Sequence, residues 1–495
     1  MNIGCLRVVC FANFSGKHGE RDDLNPMEIN PNTWESIWEY YKPSVVVPID
    51  LSGVETFQVL VNLTGLKGFS RKALNAQVPI LSAIQDLAEL VGSSNVENPL
   101  SRTNDIFNHP EMGRIQKAAG PGKKESVVVD LLSMVDIGED EDDSLGLNHL
   151  AAFFEGGDFD GSKREKVLFD LTQLENEILD QIQKHADFQE LQASWQALKS
   201  WARKSDHMKL EVIDCASDEL CDAFYMNYVK PDMGEARPLD LAFSLYQFDH
   251  SEDSRHTLYY IGKMAESISV PFLGNASPAL FGAKTVKRMS HIQDFSGKLA
   301  GPEYAKWRKL RDESGSQWVF LFLNAFTMTT EDDSSWIPAS AWAAELIHTV
   351  LKADQWPGEL LGPIGRMDFG ETVQIEWNEK QVNDIGYNGL ATINSDGDAI
   401  RLSSMMSLSS LKIPSQAQAS SAALVPFTLS YRFLSGLFAR TFLDDESGGS
   451  IEQRLMGRFD MPQESITREE GEQGPILKIS PPFSIFGVKP DFLLG

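Results

Sequence analysis

Cysteine is scarce in this sequence. Four residues in 495, Cys5, Cys10, Cys215 and Cys221, cannot staple a chain of this length, and no CxxC pair or histidine-rich partner completes a zinc site. They read as small buried hydrophobes of a reducing compartment. Basic charge is short as well: 44 Lys and Arg stand against 71 Asp and Glu, a formal net charge of -27. Such a surface repels phosphate backbones and anionic lipids, which argues against nucleic-acid and membrane-surface binding. There is no run of 18 apolar residues, and the opening MNIGCLRVVCFANFSG lacks the basic start of a signal peptide. A cytoplasmic protein is expected, or one exported by an unusual route.

Catalytic motifs are missing too. AAGPGKKES has a Gly-Lys pair but neither the earlier glycine nor the following Ser/Thr of a phosphate loop. LLGPIGRMDFG is glycine-rich without the strand and G-x-G-x-x-G order of a dinucleotide fold. NSDGDAI and GDFDGS place oxygen ligands around a glycine without the bidentate Glu of a calcium loop, and read as turns. FDHSEDSRH gathers Asp249, His250, Glu252, Asp253 and His256, yet the spacing is not that of a metal-binding helix; these groups are expected to cap the helix that follows. Ser277 in PFLGNASPALFG is followed by Pro278 rather than set in G-x-S-x-G, so a turn after a buried strand is expected. The reading is of a protein that is not an enzyme and holds no metal or cofactor.

What is present is ample core material: 42% hydrophobic residues, including 28 Phe, over a length suited to two or three domains. CLRVVCFANF, SVVVPIDL and FQVLVNLTGL read as strands. A helix is expected after Asn30 or Asn32, with Trp34, Ile37, Trp38 and Tyr41 on one face, and another from Ser70 to Gly92 with a kink or restart at Pro79. Residues 93–165 are polar and acidic, with one apolar island, SVVVDLLSMV. From Leu171 to Trp201, threes and fours give two amphipathic helices, with Asp187 as the second cap. Strands at KLEVIDC, LDLAFSLYQF, PFLGNASPALFG and WVFLFLNAF alternate with helices at ELCDAFYMNYV and TLYYIGKMAESISV. That alternation predicts a mixed α/β fold whose sheet is covered by helices on both faces. SAWAAELIHTVLK and LVPFTLSYRFLSGLFARTFL read as later helices, TVQIEWN and PILKIS as later strands.

In that order, FQELQASWQALKSW, LDLAFSLYQFDHS, PFLGNASPALFG, GPEYAKWRKLRDESGSQWVFLFLNAF, KQVNDIGYNGLATI and SSAALVPFTLSYRFLSGLFARTF resemble the large subunit of the contractile sheath of type VI secretion systems. The similarity runs over residues 171–442. FANFSG, MEINPNTWESIWEYYKPSVVV and GFSRKALNAQVPILSAIQDLAEL, over residues 8–90, are similar to the sheath small subunit. The resemblance thus implies two sheath subunits joined in one chain: a small-subunit-like domain at 1–92, a linker at 93–165 and a large-subunit-like domain at 166–495. Tethering makes their pairing intramolecular and fixes its stoichiometry.

The implied function is mechanical. Copies would stack in helical rings around an inner tube of hexamers, attached to a baseplate, and contraction would eject the tube; a AAA+ ATPase would recycle the sheath. The family links its rings by exchanged strands, and two segments are candidates for that interface: Val127, Val128, Val129, Leu131 and Leu132 in the linker, and Ile476, Leu477 and Ile479 near the end. Two features depart from the family. The large subunit's free N-terminus, which the ATPase grips, is here inside the joint. Pro481, Pro482 and Pro490 interrupt the terminal arm, and proline removes ladder donors. The rival reading is therefore a non-contractile or accessory scaffold with a sheath fold.

Overall fold

A strand with apolar side chains on both faces needs cover on both, and Leu6–Ala12 (β1), six of whose seven residues are buried, is such a strand. The computed structural model describes residues 5–17, 23–51, 54–92, 114–115, 161–203, 208–230, 239–328, 335–353, 360, 365–413, 425–443, 449–471, 474–481 and 491–494. Along the chain the further strands are β2 (Met27–Ile29), β3 (Ser44–Ile49), β4 (Phe57–Asn62), β5 (Met208–Asp214), β6 (Leu241–Phe248), β7 (Phe272–Ala276), β8 (Val319–Phe322) and β9 (Ala325–Thr327). They continue as β10 (Ile337–Pro338), β11 (Arg366–Met367), β12 (Thr372–Val373), β13 (Ala391–Asp396), β14 (Ala399–Met405), β15 (Lys412–Ile413), β16 (Val425–Pro426), β17 (Ile466–Gly471), β18 (Gly474–Ile479) and β19 (Phe492–Leu494). The longer described helices are α1 (Trp34–Tyr41), α2 (Arg71–Gln77), α3 (Pro79–Gly92), α4 (Gly161–Lys184), α5 (Ala186–Leu198) and α6 (Glu252–Ser267). After them come α7 (Ala305–Arg311), α8 (Ala339–Lys352), α9 (Glu379–Tyr387), α10 (Leu429–Leu443) and α11 (Ile451–Phe459).

The chain forms two compact units, one of Met1–Phe14, His18–Tyr41 and Ala193–Gly495, the other of Ser15–Lys17 and Lys42–Gln192. The larger is built on a nine-stranded sheet in the order β11-β14-β13-β8-β7-β6-β1-β5-β2. Its six central strands, from β13 to β5, run parallel; β14 and β2 run against them, and β11, antiparallel to β14, runs with them. Val9, Phe11, Phe272 and Leu321 face one core, to which α6 contributes Leu258, Ile261 and Ala265. On the other face α8 lies along β6, β7 and β8, burying Trp342, Leu346 and Ile347. The expected mixed α/β fold is the one found.

Helix α6 is brought close to the turn before β8 by two glycines. A Cβ on Gly315 would sit 2.5 Å from the carbonyl carbon of Gly262 and 2.8 Å from the nitrogen of Lys263, backbone atoms with nowhere to yield. Gly315→Ala is therefore expected to destabilise at the upper end of ordinary overpacking, about 3 kcal/mol. A urea midpoint unchanged from wild type would show that the helix can back away.

The smaller unit pairs the β3–β4 hairpin with α2, α3 and α4. Val45, Val47, Ile49, Phe57, Val59 and Val61 alternate inward, as period two requires. Ser70 caps α2 by accepting from the Ala73 N–H at 3.3 Å, and Pro79 restarts the chain as the first residue of α3. Arg71 reaches Asp180 on α4 at 2.9 Å, and Lys184 binds the same carboxylate at 2.8 Å. Hydrogen bonds from Lys184 and Arg71 outweigh partial burial and hold that carboxyl below its usual range. Asp50 and Gln181 exchange two bonds, at 2.8 and 2.7 Å.

Several expectations change. The compact units do not divide at residues 92 and 165. The leading residues are shared between both, because a strand buried on both faces needs sheet neighbours on each side and a lone hairpin supplies none. TVQIEWN is a strand only at Thr372–Val373. Beyond it the backbone pairs with side-chain amides instead: Asn324 donates to the Ile375 carbonyl and accepts from its N–H, and Asn394 does the same for Trp377. Asp187 lies within the first turn of α5 rather than before it. The β13–β14 hairpin around NSDGDAI was expected only as a turn; its strands are masked by serines and a polar tip.

Candidate assembly surfaces

The leading segment is fastened into the larger unit at three places. The β1 ladder pairs all seven of its residues with β5, and Val8 to Phe11 with β6. Just beyond it, the Phe14 N–H donates to Asp214 at 2.7 Å and the Phe14 carbonyl accepts from the Trp195 indole at 3.0 Å. Asn30 turns the chain by accepting from the Asn32 and Thr33 amides, so α1 presents Trp34, Trp38 and Tyr41 to the same indole. Trp38 stacks on Trp195 with centroids 3.7 Å apart, and Trp34 and Phe14 meet it edge-on at 5.9 and 5.7 Å. Tyr41 donates to the Val212 carbonyl at 3.3 Å; burial, followed by the Asp214 charge, drives its phenol far above the usual range, so it remains a donor. At the strand's other end, Asp240 accepts from the Arg7 N–H at 2.7 Å and ion-pairs with Arg440 at 3.0 Å.

Of the residues expected at an exchanged-strand interface, Val127, Val128, Val129, Leu131 and Leu132 lie outside the described residues. Ile476, Leu477 and Ile479 lie on β18, the middle strand of the sheet β17-β18-β19. Leu477 pairs with Arg468 and Leu494, and Ile479 with Ile466 and Phe492; both side chains are buried. Ile476 is half-buried opposite Glu469. These three residues therefore form no open edge. The outer strands are β17 and β19; on β17 Thr467, Arg468, Glu469 and Glu470 are exposed, the last three charged side chains of the kind that blunt an edge. The sheet is fixed by Phe492, which stacks on Tyr431 at 4.5 Å and meets Phe438 edge-on at 5.1 Å. Beside them Arg432 sits 4.1 Å from the Phe427 ring and 4.5 Å from Trp318, and burial pushes its guanidinium down to about 10. No signal in the sequence pointed to β19.

The polar motifs have structural partners. Ser251 caps α6 by accepting from Ser254, and Asp249 accepts from the Ser251 N–H at 2.8 Å. Burial raises the Asp249 carboxyl, but bonds from Ser251 and Ser254 prevail and lower it. His250 lies against Tyr304 at 4.7 Å and His256 against Tyr260 at 6.0 Å, so the two imidazoles have separate partners. Ser277 accepts from the Ala279 N–H at 3.2 Å and starts the turn Pro278–Phe281, which ends at Gly282 with a left-handed φ of 65°. Its neighbour Asn275 donates to the Ser244 carbonyl and to Ser340, and accepts from the Ser340 N–H at 3.0 Å, tying β6 and β7 to α8. A groove of about 440 Å³ opens beside Tyr387 and Leu411, but the Arg311 guanidinium in it already donates to the Leu408 and Tyr387 carbonyls. Among the described residues no group of three His, Cys, Asp or Glu is placed to hold a metal, and no helix is long and apolar enough to cross a membrane.

Residues 165–338 match the family described as VipB: EvpB/VC_A0108, tail sheath N-terminal domain. The type VI secretion system sheath protein TssC1 of Pseudomonas aeruginosa is 24% identical over 163 residues, 29% of this chain and 33% of that protein. The chain thus spans about a third of the length of the curated relative it matches. Among solved structures, a sheath tail protein of Listeria innocua is similar with a TM-score of 0.31 and 11% identity, covering 57% of this chain and 60% of that one. One from Desulfitobacterium hafniense gives 0.33 and 9%, covering 59% and 63%. What the sequence comparisons show is a match of residues 165–338 to a tail sheath domain and a likeness to a type VI secretion sheath protein.

Proposed function

We propose that the chain is a structural protomer of a contractile sheath that polymerises into a helical tube around an inner tube and drives its ejection, with a baseplate and a recycling ATPase as further partners. On this reading, residues 1–92 play the part of the separate small subunit. The observation that supports it is the position of β1, which comes from before the matched sheath domain yet fills the gap between β5 and β6. A sheet completed by the leading segment is what two fused halves require. Work is then done by self-association rather than bond chemistry. Electron microscopy of the purified chain is expected to show long hollow tubes; dispersed particles at every concentration would overturn the proposal.

One observation favours the accessory-scaffold reading. Strand β18 is flanked on both sides by its own chain, so its backbone groups are taken before a neighbour arrives. Rings without a continuous tube in the same micrographs would point to that alternative.

A further inference from the structure

We infer that residues 284–311 form a docking surface for the carboxylate-rich surface of a second copy of this chain. The inference rests on the sheath-protomer reading and assigns it a contact. The segment holds eight Lys and Arg against two Asp and Glu, Asp294 and Glu303. The remaining 467 residues hold 36 Lys and Arg against 69 Asp and Glu. A chain with a deficit of basic charge therefore concentrates an excess of it in one short stretch.

The fold turns that excess outward and holds it there. Met289, Phe295, Leu299, Trp307 and Leu310 enter the core on one face of the sheet. The side chains between them, Lys284, Lys287, Arg288, Lys298, Lys306 and Lys309, are exposed, and among the described residues none of the six is in an ion pair. The backbone beneath is fixed: Arg308 donates to the Leu299 and Gly301 carbonyls at 2.8 Å, and Arg311 to Leu408 at 3.0 Å. Of the two carboxylates, Asp294 accepts from the Gly297 N–H at 2.7 Å as a helix cap.

Identical protomers of net charge -27 repel each other in most orientations. A single basic lobe makes one orientation attractive, and so selects which surfaces meet. Because the lobe and its acidic counterpart are different surfaces, the contact is head-to-tail. Contacts of that kind build rings or open helices rather than closed two-fold dimers, as a sheath needs.

The test uses the full chain and Lys287→Glu/Arg288→Glu/Lys298→Glu/Lys306→Glu, with circular dichroism to show that the variant is folded. Wild-type assembly, followed by light scattering, is expected to need about tenfold more protein at ~0.5 M than at ~0.05 M salt, as screening shortens the reach of the charges. At low salt the variant should need at least about tenfold more protein than wild type, the loss of several favourable contacts. In a second measurement, carbodiimide coupling of mixed light and heavy-isotope protein should give peptides joining these lysines to carboxylates of the other copy. Equal assembly by wild type and variant at both salts, or couplings confined to one copy, would overturn this inference while leaving the sheath reading standing. A wild type that never assembles overturns both. Assembly that occurs only with an added acidic protein, coupled to the same lysines, assigns the lobe to that protein and overturns the second-copy contact.

Discussion

Trp195→Ala is expected to destabilise the larger unit by about 3–5 kcal/mol, the range for truncating a large buried aromatic side chain. Trp195 is fully buried and meets Phe14, Trp34, Trp38 and Tyr41, four rings of the leading segment. Its loss leaves a cavity and strips the Phe14 carbonyl of a donor at 3.0 Å. Trp195→Phe keeps part of the packing and loses the N–H, so it should fall between wild type and alanine. Urea unfolding of the three proteins checks the order. Proteolysis gives a second reading: the alanine variant should be cut within residues 1–41 faster than wild type. A variant with an unmoved midpoint and an uncut leading segment would show that the β1 ladder alone holds that segment.

Asp240→Ala is expected to cost a comparable amount, about 3–5 kcal/mol, because it removes one member of a buried ion pair and leaves the other charged. The Asp240 and Arg440 side chains are 8% and 10% exposed, and Arg440 is held below the ordinary guanidinium range by burial against the pull of Asp240. Asp240 also accepts from the Arg7 N–H, so its loss frees the start of β1. Removing both charges tests the cause. Asp240→Ala/Arg440→Met should recover a large part of the loss, since no unpaired charge then remains inside. A double variant no better than the single one would assign the effect to the Arg7 bond instead.

Legibility differed from element to element. The Ser70 and Asn30 turns were readable because capping is settled by a side chain and an amide two or three residues away. Ser277 was readable as a turn for the same reason. The groups of FDHSEDSRH were expected to cap a helix at TLYYIG, but Ser251 is the cap and Glu252, Asp253 and His256 lie inside the helix. The roles of Asn275, Asn324 and Asn394 were not, because their partners lie 65, 51 and 17 residues away. An asparagine looks the same in sequence whether it faces water or replaces a strand. Ile476, Leu477 and Ile479 were readable as a strand from their alternation, but not as an inner one, since nothing in PILKIS announces that DFLLG will cover its other side. The basic lobe was present in composition throughout; that its charges share the outward side became evident only when Met289, Trp307 and Leu310 were seen to occupy the inward one.

The sequence by itself determined most of the longer strands and helices, the caps at Asn30 and Ser70 and the order of motifs that resembles a sheath, because these depend on period and short-range chemistry. The tertiary structure decided that β1 lies between β5 and β6, that Lys42–Gln192 gathers into its own unit and that β18 is covered on both sides. A strand's alternation says which faces are buried but carries no label for its neighbours. That choice is made by the collective fit of side chains from distant parts of the chain.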